Sequence, residues 1–239
     1  MTRTAFVLVA LALTGCETTA ERSAKLEREA ARHASRAVAS GLSIARESRE
    51  VRVLAATVVR GSEGAAAVVT LRNTSSHTLR AVPLAIAVSD GHGKTLYQNN
   101  AAGLETALVS VPSLAAHGEL SWVDDQVPAS GEPVAASARV GEAPAATGSV
   151  PLIVIGGVHL IEDPSNGVGA SGIVSNRSRV PQDSLVIFAV ARRAGRIVAA
   201  GRAVLPELAA SSSMPFQIFF VGDPHGAQLQ LSAPPTRLG

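Results

Sequence analysis

Aromatic side chains are scarce in this sequence: only 3% of its 239 residues are Phe, Trp or Tyr, with one Trp and one Tyr. Apolar residues still make up 46% of the chain, so we expect cores built from Val, Leu, Ile and Ala. Few rings are available to stack on nucleic-acid bases or sugars. Lys and Arg (21) nearly balance Asp and Glu (19) and form no basic stripe, so no nucleic-acid partner is predicted.

Cysteine occurs once, as Cys16, which excludes an intramolecular disulfide. The residues before it explain a lone thiol. Arg3 supplies a positive charge, and the apolar run over 5–13 has the length of a signal peptide core. That run is too short to span a membrane, which takes about 20 apolar residues. Leu13-Thr14-Gly15-Cys16 follows, and its small residues suit binding of an extended chain in a peptidase site.

This arrangement resembles the lipobox of bacterial lipoproteins, in which Leu and two small residues precede a lipidated Cys. The resemblance implies a signal peptide over 1–15 and a Cys16 thiol that takes up a diacylglycerol, followed by further acylation such as palmitate. Two or more acyl chains hold a protein stably at a membrane, whereas one holds it only marginally. The alternative is an ordinary cleaved signal with a chance cysteine.

The lipobox resemblance also implies a location in the cell envelope. In two-membrane bacteria of this family, an Asp after the lipidated Cys favours retention at the inner membrane. Glu17 stands at that place here, so we expect the outer membrane, on its periplasmic side. In a one-membrane organism we expect the extracytoplasmic side of the cell membrane. The membrane is thus one predicted partner, through the lipid on Cys16.

A spacer is predicted between the anchor and the body of the protein. Residues 18–50 are rich in Ala, Glu, Arg and Lys, which are strong helix formers, and Glu21 and Lys25 pair at i,i+4. We therefore interpret 16–50 as a lipidated N-terminus with a helical spacer that Ser40-Gly41 weakens or ends. Large apolar residues are sparse, which favours a solvated spacer over a dimerising coiled coil.

From Val51 the pattern changes to alternation and short apolar runs broken by Gly, Asn, Pro and Ser, which predicts an all-β fold. A Gly/Ala/Pro stretch over 141–149 separates two predicted domains, 51–143 and 150–236. The predicted strands are Val51–Arg60, Ala65–Asn73, Val82–Asp90, Lys94–Gln98, Thr106–Val111, Glu119–Val123, Ala135–Val140, Leu152–Glu162, Val168–Asn176, Ser184–Arg192, Arg196–Ala203, Met214–Val221 and Ala227–Ser232. The residues 233–235 are expected to form a frayed tail.

The two halves of this β region align in order, which indicates an internal duplication. Five local matches carry the alignment: 51–59 with 152–160, 61–64 with 163–167, 70–75 with 173–178, 82–93 with 185–195, and 112–116 with 206–210.

Within each half, a strand ends in Asn-x-Ser, an apolar strand and a Gly hairpin follow, and a Pro-x-Leu-Ala-Ala turn precedes another strand. This order resembles the FxLYD-type immunoglobulin-like modules of bacterial envelope lipoproteins. The resemblance covers about residues 51–235 and implies two tandem Ig-like β-sandwich domains behind the spacer and lipoprotein signal peptide. Where that family has Phe-x-Leu-Tyr, this chain has Leu84-Ala85-Ile86 and Val186-Ile187-Phe188.

A search for catalytic residues finds no constellation. There is no Gly-x-Ser-x-Gly elbow, and the six histidines lack the spacing of metal ligands. Asp124 and Asp125 point to opposite sides of a strand, so they are not expected to act as an acid–base pair. Asn73 and Asn176 lie in glycosylation-like sequons, but we predict that they cap turns. No catalytic, cofactor-binding or metal-binding residue is predicted, and Cys16 is the one site residue.

Three functions are compatible with these features. The leading hypothesis is a non-enzymatic module, tethered to the envelope, that binds or scaffolds another envelope protein. The second is a small-ligand receptor with an apolar pocket between the two modules, near 141–151. The third is an envelope hydrolase whose residues converge only in three dimensions.

Overall fold

The computed structural model describes residues 41–62, 64–128 and 131–239, which belong to one compact unit, Ser40–Gly239. The predicted signal peptide 1–15, Cys16 and most of the predicted spacer lie outside the described residues. Nearly all of the described secondary structure is antiparallel β. The predicted all-β class is therefore confirmed.

The first half folds as a β-sandwich. Strands β1, β2 and β6 form one sheet, and β3 pairs with β4, β5 and β7 in the other. Between them lies a core with Trp122 and Leu84 at its centre, both fully buried. The elements are β1 Val51–Arg60, β2 Gly64–Asn73, β3 Leu79–Ser89, β4 Thr95–Gln98, α1 Thr106–Val109, β5 Ser110–Leu114, β6 Glu119–Pro128 and β7 Ala135–Val140.

The second half repeats this strand order. Its outer sheet is β8-β9-β12, and its inner sheet is β13-β11-β10-β14. The elements are β8 Ile153–Asp163, β9 Gly167–Asn176, β10 Gln182–Arg193, β11 Arg196–Leu208, β12 Ser213–Phe219, β13 Val221–Gly222 and β14 Gln228–Ser232. The predicted Ig-like β-sandwich fold is confirmed.

Strand register confirms the internal alignment. Val51 pairs with Asn73 as Ile153 pairs with Asn176, so the first of the five matches is correct to within one residue. Two unusual backbone positions also recur: Ala81 and Ser184 both have φ near +50°, at 47° and 48°. Because a positive φ is uncommon for residues other than glycine, its recurrence at matched positions marks the halves as copies of one module.

The two sandwiches stack on one another through sheet faces. Strand β10 is buried on both faces: Leu185 and Ile187 pack into the core of the second sandwich, whereas Val186 and Phe188 pack against the outward face of β1-β2-β6 in the first. A strand that is buried on both faces reads as a continuous apolar run, as 185–191 does. The division into domains at 51–143 and 150–236 stays a prediction, because both ranges contribute to one compact unit.

The predicted strand over Thr106–Val111 is wrong at its start, where residues 106–109 form the single helical turn α1. Side chains hold the backbone carbonyls of this turn in place. The indole of Trp122 donates to the Ala107 carbonyl at 2.8 Å, and the Asn99 amide donates to the Leu108 carbonyl at 2.6 Å. These tertiary bonds override the β propensity of the segment.

Two other expectations at segment ends are corrected. Residues 41–50 fall in the predicted spacer but contain no helix; Glu47 there forms a β-bridge with Gly141. The tail over 233–235 is docked, not frayed, and Pro234 is buried. The reason is Gln182, whose side-chain oxygen accepts bonds from the Thr236 and Arg237 amides at 2.8 and 3.2 Å.

Two matched asparagines cap the strands β2 and β9. The Asn73 side-chain amide lies 2.8 Å from the His77 carbonyl and 3.0 Å from that of Ala115, and its oxygen accepts from Ser75. Asn176 makes the same bonds, to Val180 at 2.8 Å, Ala209 at 3.1 Å and Ser178. Each Asn-x-Ser motif therefore ties a strand end to the Pro-x-Leu-Ala-Ala turn, as the capping prediction requires.

We expect Asn73→Ala and Asn176→Ala each to lower the free energy of unfolding by about 2–4 kcal/mol, because several buried bonds are lost and carbonyls are left unpaired. Urea unfolding of the protein measures this. Asn100→Ala is the control, since that side chain is exposed and, among the described residues, bonds to Gln98 alone; a loss below about 0.5 kcal/mol is expected. Equal effects of all three substitutions would contradict the capping role of Asn73 and Asn176.

Candidate functional site at the junction of the sandwiches

The junction lies between the outward face of β1-β2-β6 and the outward face of β10-β11. Its apolar part is formed by Val68 and Val123 on one side and by Val186, Phe188 and Val190 on the other. Phe188 is almost completely buried there although it points away from its own sandwich. The burial of Phe188 therefore holds the two sandwiches together.

Arg202 provides the ionic part of the junction. Its side chain is only 5% exposed, and its Nε lies 3.0 Å from the carboxylate of Asp125 in the other sandwich. Its terminal nitrogens lie 3.2 and 3.3 Å from Glu105. A buried guanidinium requires such partners, because an unpaired charge in the interior is strongly destabilising. The position of Arg202 thus fixes how the sandwiches stack.

Glu105 comes from an insertion present in only one of the two repeats. Eighteen residues separate Gly93 from Pro112, whereas ten separate the matched Gly195 and Pro206. The extra residues carry α1 and place Glu105 against Arg202. Sequence reasoning missed both residues, although the unequal spacing of the repeats was a visible signal that this connection differs.

A pocket of about 400 Å³ lies beside this ion pair, between the two halves. Apolar groups line much of it, including Pro112 and Ala107 from the first half and Val186 and Val204 from the second. Its rim holds the carboxylates of Glu105 and Asp183, which are already paired with Arg202 and Arg237. None of its lining residues belongs to 141–151, where the sequence predicted an inter-module pocket.

Asp124 and Asp125 point to opposite sides of β6, as predicted. Asp125 faces Arg202, whereas Asp124 is fully buried in the first sandwich, where it accepts a bond from the Tyr97 hydroxyl at 2.8 Å. Burial raises the pKa of the Asp124 carboxyl above its ordinary value of 3.8. Burial, reinforced by the negative charge of Asp124, also raises the pKa of Tyr97. Asp124 and Asp125 therefore both make structural contacts.

The remaining titratable groups are dispersed. In the part of the chain that the structure describes, no three His, Cys, Asp or Glu side chains come together as a metal site. His225 contacts Asp223 at 2.7 Å in an exposed turn, and this carboxylate raises the pKa of the imidazole. The predicted lipidation site, Cys16, lies outside the described residues. No helix within those residues is long and apolar enough to cross a membrane.

We expect Arg202→Ala to lower the free energy of unfolding by about 1–3 kcal/mol, because it leaves Asp125 partly buried without its cation. Chemical denaturation measures the change. Arg139→Ala is the matched control: its salt bridge with Glu47 is 61% exposed on both sides, so a loss below about 0.5 kcal/mol is expected. If both variants lose the same amount, Arg202 does not hold the junction.

Asp124→Asn tests the buried carboxyl through pH. Because folding raises the Asp124 pKa, its contribution to stability is present at low pH and is lost as pH rises through the folded pKa. Relative to Asp124→Asn, the wild type should therefore lose free energy of unfolding as pH rises from about 4 toward neutrality. Unfolding curves measured across this range give the difference.

Asp163→Asn should show the opposite slope. Backbone bonds from Ser165 and Asn166 lower the Asp163 pKa, so its contribution is present above the unfolded pKa and lost as pH falls. If the difference in free energy of unfolding between wild type and variant changed with pH in the same direction for both, the opposite pKa shifts of Asp124 and Asp163 would be contradicted.

Comparison with known proteins gives no family. No family model matches the chain, and no curated protein matches it. Among solved structures, it is similar to the exo-chitosanase CsxA of Amycolatopsis orientalis, with 12% identity and a TM-score of 0.29 over 77% of this chain and 26% of that one. A second structure, of the exo-β-D-glucosaminidase CsxA inhibited by a glucosamine-configured castanospermine and an amino-australine analogue, gives 13% identity and a TM-score of 0.29 over 72% of this chain and 24% of that one.

Red sea bream transglutaminase is similar at 16% identity and a TM-score of 0.25, over 90% of this chain and 32% of that one. The chain thus spans about a quarter to a third of the length of these proteins. Likeness at this level carries no argument about activity.

Proposed function

We propose that this protein is a lipid-anchored envelope lipoprotein that acts as a non-enzymatic protein-binding or scaffolding module. The observation that carries the proposal is Leu13-Thr14-Gly15-Cys16, directly after a basic residue and a short apolar run. In a two-membrane bacterium the anchor sits in the outer membrane facing the periplasm, and otherwise in the cell membrane on its extracytoplasmic side.

Membership of the FxLYD-type modules is part of this proposal. Its support is the order of elements that the two halves share: the Asn-x-Ser cap, the apolar strand, the hairpin and the Pro-x-Leu-Ala-Ala turn, in both copies. The binding role is supported by the way charges are used at the junction. Arg202 donates to both Asp125 and Glu105, so these charges are used to hold the two sandwiches together.

A second candidate function is a small-ligand receptor. The pocket between the sandwiches favours it, because about 400 Å³ lies within the range of small-molecule sites. Since Glu105 and Asp183 already pair with arginines, such a ligand would be apolar and uncharged.

We expect mature protein purified from membranes to begin at Cys16 with a mass raised by its acyl chains, because the thiol is the acceptor of the lipid. Cys16→Ser should lose all incorporation of a palmitate analogue. Mass spectrometry of the N-terminus and metabolic labelling measure this. Ser23→Ala leaves the lipobox intact and should label as the wild type does. A mature chain with a free Cys16 thiol would contradict the anchor.

Chemical cross-linking in intact membranes, followed by purification of the tagged protein, addresses the binding role separately. We expect a reproducible protein partner above the background of an unrelated anchored protein. Recovery of none would contradict the binding role and leave the anchor standing.

A further inference from the structure

The pocket between the two halves begins where the outward face of β11 leaves the contact between the sandwiches. Along this face Ala200 is fully buried, whereas Val204 is 39% exposed. Val204 pairs in register with Val186, which is buried against the first sandwich. These two valines, with Pro112 and Ala107 from the first half, give the pocket aliphatic walls.

Two matched irregularities of the backbone open onto this pocket. Ala81 and Ser184, the residues with φ of 47° and 48°, both line it. The strand register skips Ala81 together with Pro112, and it skips Ser184 together with Pro206. Because proline has no N–H to donate, the ladder is interrupted at this point in both repeats. Such interruptions are common beside binding sites, and the stacking of the two halves brings both positive-φ residues to one cavity.

Hydroxyl groups supply the neutral polar atoms at the rim of the pocket. Ser110 and Thr236 donate theirs to the carbonyls of Thr106 and Asp183, at 2.9 and 2.7 Å. The hydroxyls of Thr106 and Ser184 make no hydrogen bond to any residue that the structure describes. A hydroxyl both donates and accepts, so these two can bond to an uncharged ligand.

The carboxylates at the rim are each paired with an arginine. Glu105 lies 3.2 Å from Arg202, and Asp183 lies 3.0 Å from Arg237. An ionised ligand would have to give up water and compete with a pair that is already formed. The rim therefore favours a ligand whose polar end carries no charge.

We propose that this pocket binds one aliphatic chain of a neutral lipid, whose uncharged polar end bonds to the Ser184 and Thr106 hydroxyls. Aliphatic walls gain free energy from each methylene group that they remove from water. A volume of about 400 Å³ lies at the lower end of the range of small-molecule sites, which suits a single chain. The inference rests on the receptor role, the second candidate function above, and names its ligand.

Calorimetric titration with three decyl compounds tests the ligand class. The full chain with Cys16→Ser is used, so that no acyl group of its own is present. We expect decan-1-ol to bind at one site per chain. Decanoate and decylammonium should bind at least about tenfold more weakly, because an ionised end is desolvated beside charges that are already paired.

Equal binding of the three decyl compounds would overturn the assignment of a neutral lipid. Binding of the compact adamantan-1-ol without binding of decan-1-ol would also overturn it, while the receptor role stood. Binding of neither alcohol would reject the receptor role as well and leave the protein-binding role untouched.

Val204→Trp tests the position of the site, because an indole at this half-exposed place fills the pocket. We expect this variant to lose the binding of decan-1-ol. Val134→Trp is the matched control, being 55% exposed and outside the pocket lining, and should bind as the parent chain does. Undiminished binding by a folded Val204→Trp chain would overturn the assignment; thermal unfolding reports the fold.

Ser184→Ala tests the polar end without filling the pocket. The first repeat already has alanine at the matched position, Ala81, with the same backbone conformation, so the variant should fold as the parent chain does. We expect decan-1-ol to bind about fivefold more weakly, because one hydrogen bond is lost. Unchanged affinity would overturn the role of the Ser184 hydroxyl.

The acyl group expected on Cys16 is a second source of aliphatic chain. Solvent extraction of the protein purified from membranes separates the two sources, since a group on Cys16 stays covalently bound. We expect mass spectrometry of the extract to find a neutral lipid with the wild type and none with Val204→Trp. An empty extract, with decan-1-ol bound by Cys16→Ser but not by the acylated protein, would overturn the free lipid in favour of the protein's own acyl group.

Discussion

Strand β10 supplies side chains to two cores at once, and the stacking of the protein follows from this. Leu185, Ile187 and Ala189 fill the second sandwich, whereas Val186, Phe188 and Val190 complete the first. Burial of apolar surface stabilises a fold by about 25 cal/mol per Å² removed from water. Burial of both sides of one strand therefore contributes a large share of the stability of a domain. The second sandwich thus also covers the outward sheet face of the first. Arg202 fixes this contact at the edge of its apolar area.

The two repeats have kept their turn chemistry and changed their connections. Asn73 and Asn176 hold equivalent turns with equivalent bonds. Leu79 and Gln182 stand at matched positions. Each contacts the chain segment that follows the last strand of its own sandwich. Leu79 bridges to Ala145, whereas Gln182 binds the backbone over 236–237 through its side chain. A polar residue is tolerated in the second position because all of its hydrogen-bonding atoms have partners there.

Much of the fold was predictable because the relevant signals are local. Apolar alternation located the strands, and Asn, Gly and Pro located the turns; strand β7 was predicted at its observed bounds, Ala135–Val140. The junction was not predictable in this way. The continuous apolar run of β10 indicates burial on both faces, but it does not name what covers the second one. Arg202 and Glu105 meet across 97 residues of sequence, which no periodicity reports. The helical turn α1 escaped prediction because its stabilising bonds come from Asn99 and Trp122.

The path of the chain into the first sandwich has a mechanical consequence. Residues 46–48 run beside the end of β7, where the Ser48 amide donates to the Val140 carbonyl at 2.9 Å and the Glu142 amide donates to that of Arg46 at 3.2 Å. Tension arriving from the N-terminal side therefore loads these bonds before it reaches β1. Because two hydrogen bonds cost little to break, this short contact would open first, while the buried sheets behind it kept their register.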